Sequence, residues 1–340
     1  KVLADNELQV EKAHMFNYTS SGLTSGSTTP DSNYVTTGLY STEDEDGTSY
    51  YYRGNVVNNN VQFGEYQEDY YVYKYNDQYF QSLETCQSYN SSCSETNTTK
   101  VKLASKGDKM YWKIVRINGD GSARLIYNGT NPTATYDVND LSTWSHIGVT
   151  YYSKGATGSY ERVGYTDNGT DSLIKTQLDT WYSNTLEIND KIVAKEFCND
   201  TSFIENDQYR WNGYKRLSQS DNSFAIDNSP SLICPETSEK YGGSYNLKVG
   251  LITADELAFG GELYNMKSDS YLNSNSTYWS MTPVKKFNDF VYLNFGTSED
   301  NKLSWYHVNG HYLGIRPVIN ISGRVLANTD GTVDNPYIIK

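Results

Sequence analysis

The segment from Met110 to Tyr127 constrains the fold of this chain more than any other. Apolar side chains recur at strand-like spacing through Met110–Ile117 and again through Ser122–Tyr127. Between these runs stands Asn118-Gly-Asp-Gly121. Asn-Gly and Asp-Gly supply the positive φ angles that tight hairpin turns need. The segment is therefore predicted to form a β-hairpin.

Other segments also have strand-like patterns. A second hairpin is predicted from Tyr50–Arg53 and Val61–Phe63, joined by a turn through Asn58–Asn60. Asn309-Gly310 indicates a tight turn between the last two predicted strands. The late strands are predicted at Tyr278–Met281, Phe290–Phe295, Leu303–Val308 and Gly314–Ile321.

Two helices stand out among these strands. In Asp171–Tyr182 the residues Ile174, Leu178 and Trp181 fall on one helical face, and Asp171 or Ser172 can cap the start. Thr253-Ala-Asp-Glu256 has the pattern of a capping box at the start of a second, short helix, which Gly260-Gly261 ends. Strands outnumber helices and no βαβ alternation is present, so the predicted fold class is α+β.

The composition excludes some kinds of binding partner. Tyrosine occurs 32 times in 340 residues, which suits a β-rich protein surface because tyrosine joins apolar area to a hydroxyl that tolerates water. The net charge is −13, and no cluster of Lys and Arg offers the phosphate contacts that nucleic-acid binding needs. No stretch approaches the ~18 consecutive apolar residues of a membrane span. Neither a nucleic-acid partner nor a membrane span is predicted.

The four cysteines indicate an oxidising compartment. They allow three disulfide pairings, of which we favour Cys86–Cys93 and Cys198–Cys234 because the first two stand close together in a polar, turn-rich stretch. Two close pairs of the CxxC kind, as zinc sites require, are absent from the sequence. Disulfides are typical of secreted and surface-displayed proteins. The predicted location is therefore extracellular, at the cell surface.

The chain divides into an arm and one domain. Residues 1–35 contain a Ser/Thr/Gly tract typical of a linker, after a segment, Glu7–Glu11, that alternates like a short strand. Residues 36–340 form the predicted domain. Within it, residues 64–109 are acidic and tyrosine-rich, carry the first cysteine pair, and are predicted to be an elaborated loop insertion.

Seven short motifs follow one another in a fixed order along the chain. They are Leu39-Tyr40, Tyr51–Gly54, Tyr111–Gly121, Phe197–Asp200, Gly250–Glu256, Tyr278–Pro283 and Gly314–Ile319. With these motifs the chain resembles bacterial surface proteins whose domain belongs to the formylglycine-generating-enzyme branch of the C-type lectin fold, a branch shared by retroelement-diversified ligand-binding proteins. The resemblance covers about residues 36–340. The closing Gly314–Arg316 is similar to the Gly-Phe-Arg signature of such domains.

This resemblance implies a C-type-lectin-like scaffold of two helices packed on mixed and antiparallel hairpins. It also implies that the segment Val284–Leu313 carries the ligand-binding residues. Aromatic rings there would give rigid contact area, and Asn and Asp adaptable hydrogen bonds. In an alternating strand, however, half of such aromatic residues point to the core. The implied binding residues are Lys286, Asn288, Asp289, Phe290, Tyr292, Asn294, Trp305, Tyr306, His307, Asn309, His311 and Tyr312.

An enzymatic function is not expected. Formylglycine-generating enzymes use a late cysteine pair, and this chain has no cysteine after Cys234. A two-residue Asn309-Gly310 turn would place His307 and His311 on opposite faces, so no metal site is assigned. The acidic run Glu43–Asp46 is expected to be a solvated turn, and Thr253–Glu256 to be a helix cap.

The function expected from the sequence is binding. The predicted ligand is a protein or glycan, with no cofactor; Asp and Asn oxygens are abundant enough to hold a structural calcium ion, but no loop has the spacing of a known calcium motif. The alternative is a structural subunit of an extracellular filament or coat. In that hypothesis the arm, residues 1–35, mediates self-association by adding a strand to a neighbouring subunit's sheet.

Overall fold

The computed structural model of the chain describes most of the sequence. Residues 166–167, 170, 285, 290–296 and 301 are described by their backbone alone. The described residues are 1–11, 15–16, 36–133, 140–152, 166–167, 170–202, 204, 210–217, 229–235, 243–264, 268–285, 290–296, 301–310 and 312–339.

Strands outnumber helices in this part of the chain. Besides the α-helices, the described residues form one 3₁₀ turn, Leu141–Thr143. The helices are α1 Val2–Asp5, α2 Leu83–Tyr89, α3 Leu173–Thr185, α4 Asn212–Leu217 and α5 Ala254–Phe259. The first strands are β1 Gly38–Asp44, β2 Gly47–Arg53, β3 Asn60–Glu65, β4 Tyr70–Tyr75, β5 Gln78–Phe80, β6 Thr99–Ala104, β7 Lys109–Ile117, β8 Ala123–Tyr127, β9 Val149–Thr150, β10 Thr166–Asp167 and β11 Thr170–Asp171. The later strands are β12 Ile192–Val193, β13 Lys195–Cys198, β14 Ser244–Leu247, β15 Val249–Gly250, β16 Tyr278–Lys285, β17 Phe290–Gly296, β18 Asn301–His307, β19 Leu313–Gly314, β20 Val318–Ile321 and β21 Tyr337–Ile338.

A nine-stranded sheet forms the centre of the molecule. Its main path runs β1-β2-β7-β8-β20-β12, with β15 paired to β20 and β3 paired to both β7 and β21. The predicted β7–β8 hairpin is present, and Gly121 takes a φ of 84° in its turn. A β-bulge between Ile114 and Arg116 shifts the register of the β7–β8 ladder. Because a one-residue shift exchanges the two faces, Arg116 faces α5 instead of continuing the apolar face.

A second sheet of five strands has the order β18-β17-β16-β19-β9. Its three late strands, β16, β17 and β18, fall where the sequence predicted them. The tight turn predicted at Asn309-Gly310 is present, but the strands on its two sides, β18 and β19, do not pair as a hairpin. After a turn closed by the Gly310 N–H and the His307 carbonyl, the chain leaves β18, and β19 pairs with β16 and β9 instead.

Two further strand predictions need correction. Gly314–Ile321 is not one strand, because the chain passes through Pro317 from β19 in the second sheet to β20 in the main sheet. The hairpin predicted from Tyr50–Arg53 and Val61–Phe63 does not form either. Instead β2 pairs with β1 and β7, and β3 pairs with β7 and β21. Strand propensity located these segments, but the partners were set by contacts distant in sequence.

The apolar face of α3 packs on the main sheet. Ser172 caps the helix by accepting from the Lys175 N–H, as predicted. Ile174, Leu178 and Trp181 are buried. Trp181 lies against the rings of Tyr127 (5.6 Å between centroids) and Trp112 (6.5 Å). These rings bury a large apolar area in one cluster, which anchors the helix layer to the sheet.

The insertion at residues 64–109 is more ordered than the predicted loop. It contains a three-stranded sheet, β5-β4-β6, and α2, which Ser82 caps. Cys86 is bonded to Cys93 within it, and Cys198 is bonded to Cys234 elsewhere. These are the two pairings favoured from the sequence.

The described part of the arm lies against the domain. Val2 belongs to the main core, and Met15 packs with Tyr51 and Phe259 in a smaller cluster. The fold as a whole is α+β with mostly antiparallel sheets. Its five described helices include the two that were predicted, α3 and α5. No helix in the described ranges is both long and apolar enough to cross a membrane.

Trp112 offers a test of the core. Its side chain is fully buried and its indole N–H donates to the Phe63 carbonyl at 2.8 Å. Trp112→Ala is expected to lower the free energy of unfolding by about 3–5 kcal/mol, through lost burial and a residual cavity. Urea titration measures this as a lower midpoint at unchanged m-value. The matched control is Tyr111→Ala at the neighbouring half-exposed position; an equal loss in both variants would contradict the placement of Trp112 in the core.

Candidate functional site

The predicted binding segment is only partly described. Lys286, Asn288, Asp289 and His311 lie outside the described residues. For Phe290, Tyr292 and Asn294 the backbone of β17 is described: they pair with His307, Trp305 and Leu303 of β18, respectively. The described side chains of the prediction are Trp305, Tyr306, His307, Asn309 and Tyr312.

Trp305 and Tyr306 do not project freely into solvent. Both are half-buried and pack against the main core. The Trp305 ring lies parallel to that of Tyr264, 6.4 Å between centroids and 11° between planes. His307 is half-buried, and Asn309 is exposed in the turn after β18. Trp305 and Tyr306 therefore pack the second sheet against the core as well as contributing to its surface.

Tyr312 belongs to a different environment, beside the first disulfide. Its ring meets Tyr89 of α2 edge-on at 4.3 Å and Tyr151 at 4.1 Å between centroids. The two hydroxyls of Tyr312 and Tyr151 are hydrogen-bonded to each other. Below them, Phe80 packs with Cys86 and Cys93. The chain segment after β18 therefore closes onto the 64–109 insertion.

The tyrosines of the insertion extend this cluster across the surface. Tyr71, Tyr73 and Tyr75 occupy alternate positions of β4 and so share one face. Tyr75 meets the Tyr89 ring at 6.0 Å. The ammonium group of Lys100 lies 4.4 Å above the centre of the Tyr71 ring. All the rings of this group are half-exposed. We call this group the tyrosine surface: Tyr71, Tyr73, Tyr75, Tyr89, Tyr151 and Tyr312.

Most of the tyrosine surface was missed from the sequence. Tyr312 alone was among the predicted residues. The alternation of tyrosine at positions 71, 73 and 75 was a usable signal, because alternate residues of a strand share a face. Tyr89 and Tyr151 carried no such signal, since a helix and a distant loop bring them together.

A group of buried charges is centred on Glu256 at the start of α5. Its Oε1 accepts from the Nε of Arg116 (3.1 Å) and forms an ion pair with the Nε of Arg124 (2.5 Å), and its Oε2 accepts from the Thr253 N–H (2.9 Å). Arg116 also contacts Asp44 at 2.7 Å. Burial lowers the pKa of Arg124 to about 10, while the charge of Glu256 opposes this shift, so Arg124 stays charged at neutral pH. We call Glu256, Arg116, Arg124 and Asp44 the ionic junction.

A second buried cation, Arg216 of α4, adjoins the ionic junction. It binds Asp255 through two nitrogens, at 2.9 and 3.0 Å, and Asp200 at 2.7 Å. Burial acts against its charge, but the carboxylates of Asp255 and Asp200 outweigh burial and raise the pKa of Arg216. Each of these buried charges therefore has an opposite charge at hydrogen-bond distance, as buried ions require.

The cavity between these charges is too small for a substrate. Its volume is about 20 Å³, which is room for roughly one water molecule. No group of three or more His, Cys, Asp or Glu in the described ranges is placed to hold a metal ion. The ionic junction holds α5 to the sheet, and Arg216 holds α4 to α5 through Asp255. Thr253 and Glu256 form the capping box that the sequence predicted.

The acidic run Glu43–Asp46 was predicted to be solvated, and this is wrong for part of it. Glu45 and Asp46 form the β1–β2 turn, but Asp44 is only 6% exposed and binds Arg116. Glu45 accepts a hydrogen bond from the Cys234 N–H at 2.5 Å. The acidic composition predicted that the whole run is exposed to solvent. One of its carboxylates, that of Asp44, is instead buried because it binds Arg116, which is 72 residues away in the sequence.

Comparison of the chain with models of protein families, with curated proteins and with solved structures finds no match. The case for a function therefore comes from the geometry of this chain.

The ionic junction can be tested by removing its shared anion. Glu256→Ala would leave Arg116 with Asp44 alone and Arg124 without its carboxylate. The expected loss in the free energy of unfolding is about 3–5 kcal/mol, because a buried charge is left unpaired. Chemical denaturation measures it. The control is Glu68→Ala, which removes an exposed partner of Lys106 and is expected to change stability by at most about 1 kcal/mol. Equal effects in the two variants would contradict the junction.

His146 makes a prediction about pH. It is buried beside Trp144, 4.5 Å between ring centroids. Burial, helped by the charge of Arg316, lowers its pKa to about 3, below the ~6.5 of an unfolded chain. The contribution of the buried, neutral His146 to the free energy of unfolding is thus fully present above about pH 6.5. It is lost as the pH falls toward 3, by up to about 1.4 kcal/mol per pH unit, because only the unfolded chain binds the proton readily. His146→Gln is expected to remove this part of the pH slope of the unfolding free energy; an unchanged slope would contradict it.

Proposed function

We propose that this chain is an extracellular, non-enzymatic protein that binds a protein or glycan ligand through the tyrosine surface. The observation that carries the proposal is the group of six half-exposed tyrosines held together by the first disulfide, β4 and the segment before β19. Tyrosine gives large, rigid contact area at low cost in side-chain entropy, and its hydroxyl can bond to a polar ligand.

The position of the tyrosine surface supports this proposal. The Tyr312 ring contacts those of Tyr89 and Tyr151 at centroid distances of 4.3 and 4.1 Å, so these rings are already ordered before a ligand binds. The disulfide Cys86–Cys93 lies directly beneath, and a covalent link there restricts the loop that carries Tyr89. Preorganised surfaces bind more tightly for the same contact area.

The family implied by the sequence is part of the proposal. A C-type-lectin-like scaffold would place the binding residues at the late strands, and Tyr312 is the residue that joins that region to the tyrosine surface. The disulfides support an extracellular location, because such bonds persist in oxidising compartments. In this proposal Trp305 and Tyr306 support the sheet and contribute little to binding.

The proposal is tested by substitution of the rings. Tyr73→Ala and Tyr312→Ala are each expected to weaken binding to the best ligand on an array of glycans and cell-surface proteins, as a hot-spot side chain typically contributes ~2 kcal/mol or more. Titration of each variant by surface plasmon resonance measures the change in Kd.

Tyr111→Ala on the main sheet is the matched control and is expected to bind like the wild type. Trp305→Ala is expected to lower stability more than affinity, because Trp305 packs against the core. If Tyr73→Ala and Tyr312→Ala fold normally and retain wild-type affinity, the tyrosine surface is not the binding site.

A further inference from the structure

The main sheet leaves an apolar groove beside α1. Its volume is about 480 Å³, which is within the range of pockets that bind ligands. The floor is formed by Ile114 and Ile117 of β7, Leu125 of β8 and Ile321 of β20, and the walls by Leu3 and Val325. We call this space the apolar groove. An open apolar cavity of this size on a sheet face is a surface suited to an apolar partner.

The arm that borders the groove also presents apolar side chains to solvent. Leu3, Leu8 and Val10 are 41%, 49% and 85% exposed, and they are three of the six large apolar side chains exposed in the described part of the chain. Leu8 and Val10 are two residues apart in a segment whose main chain is docked on β1. The Gln9 N–H donates to the Leu39 carbonyl at 2.7 Å, and Leu8 forms a parallel bridge with Leu39.

In this docked segment the main chain pairs within the molecule, whereas the apolar side chains point to solvent. At Leu8 and Gln9 the backbone already pairs with Leu39 at the chain's own sheet edge. Among the described residues, the side chains of Leu8 and Val10 are exposed and none of the chain's own side chains fills the apolar groove. The described part of one copy therefore offers both an apolar groove and a pair of exposed apolar side chains.

Charges at the two sites are complementary. Lys1 and Arg324 border the apolar groove, and Arg324 is exposed. Glu7, directly before Leu8, is also exposed. In a chain with a net charge of −13, two copies repel each other unless cations of one meet anions of the other. Arg324 against Glu7 supplies such a contact.

We propose that Leu8 and Val10 of one copy insert into the apolar groove of a second copy. The contact does not depend on the tyrosine surface, and it gives the alternative function, a filament or coat subunit, a specific interface. The inserted side chains and the groove are different patches of one molecule. Two copies that exchange arms reciprocally form a closed dimer, and copies that insert head to tail form an open chain.

The experiment is sedimentation equilibrium of the full chain over a range of concentrations up to about 100 µM, where Kd values in the micromolar range are detected. The wild type is expected to exceed its monomer mass of 38.5 kDa as concentration rises. The double variant Leu8→Asp, Val10→Asp is expected to stay monomeric, because charged side chains cannot enter an apolar groove. Both positions are exposed, so the variant should unfold at the wild-type urea midpoint.

Two further variants make the test specific. Ile188→Asp, at an 86% exposed apolar position that neither lines the apolar groove nor belongs to the arm, is the matched control and is expected to associate like the wild type. Val325→Asp blocks the groove and should also be monomeric by itself. A mixture of Val325→Asp with the Leu8/Val10 double variant leaves one intact arm and one intact groove, and it is expected to form one-to-one complexes that grow no further.

Several results would overturn the proposal. These are a wild-type chain that stays monomeric at every concentration, a Leu8/Val10 double variant that associates like the wild type, and a mixture that forms no complex. Native mass spectrometry of the purified chain adds one more. A monomer that carries a small apolar molecule, released by Val325→Asp, would assign the groove to that molecule instead. None of these results bears on ligand binding by Tyr73 and Tyr312.

Discussion

The carboxylate of Glu256 is the contact on which the rest of the structure depends. It closes the capping box of α5 through Oε2, and through Oε1 it accepts from Arg116 and forms an ion pair with Arg124. Arg116 and Arg124 stand on the adjacent strands β7 and β8, so one anion joins a helix start to the centre of the main sheet. A buried charge is tolerated only when it is paired and fully hydrogen-bonded. This pairing therefore fixes where α5 sits, and Arg216 fixes α4 beside it through Asp255.

Converging charges of this kind are also found in active sites, but the cavity that these charges surround is small. A cavity of about 20 Å³ leaves no room for a substrate among them. The binding that we propose for this chain uses other residues, those of the tyrosine surface and of the apolar groove beside α1. In our proposals, rigidity and binding are therefore supplied by different residues: arginines and carboxylates order the helices, and half-exposed aromatic and aliphatic side chains bind partners.

The sequence predicted those features whose cause is local. The Asn118–Gly121 turn, the Ser172 and Thr253 caps and the apolar face of α3 are each set within a few residues, and all are present. Features that depend on distant residues were missed. Glu256 and Arg116 are 140 residues apart, and no local pattern marks either as an ion-pair partner. Asn309-Gly310 has the composition of a hairpin turn, yet strand β19 finds a better partner in β16, which carries Tyr312 to the insertion rather than back along β18.

Native-state hydrogen exchange at increasing denaturant tests the central role of Glu256 most directly. The amides of Leu257 and Gly260 close the turns of α5, and the Tyr127 amide, which donates to the Pro317 carbonyl, reports on the centre of the main sheet. If the ionic junction holds helix and sheet as one unit, these amides will exchange through the same opening, with the free energy of global unfolding. Exchange of the α5 amides through a separate opening of much lower free energy, while Tyr127 stays protected, would contradict that account.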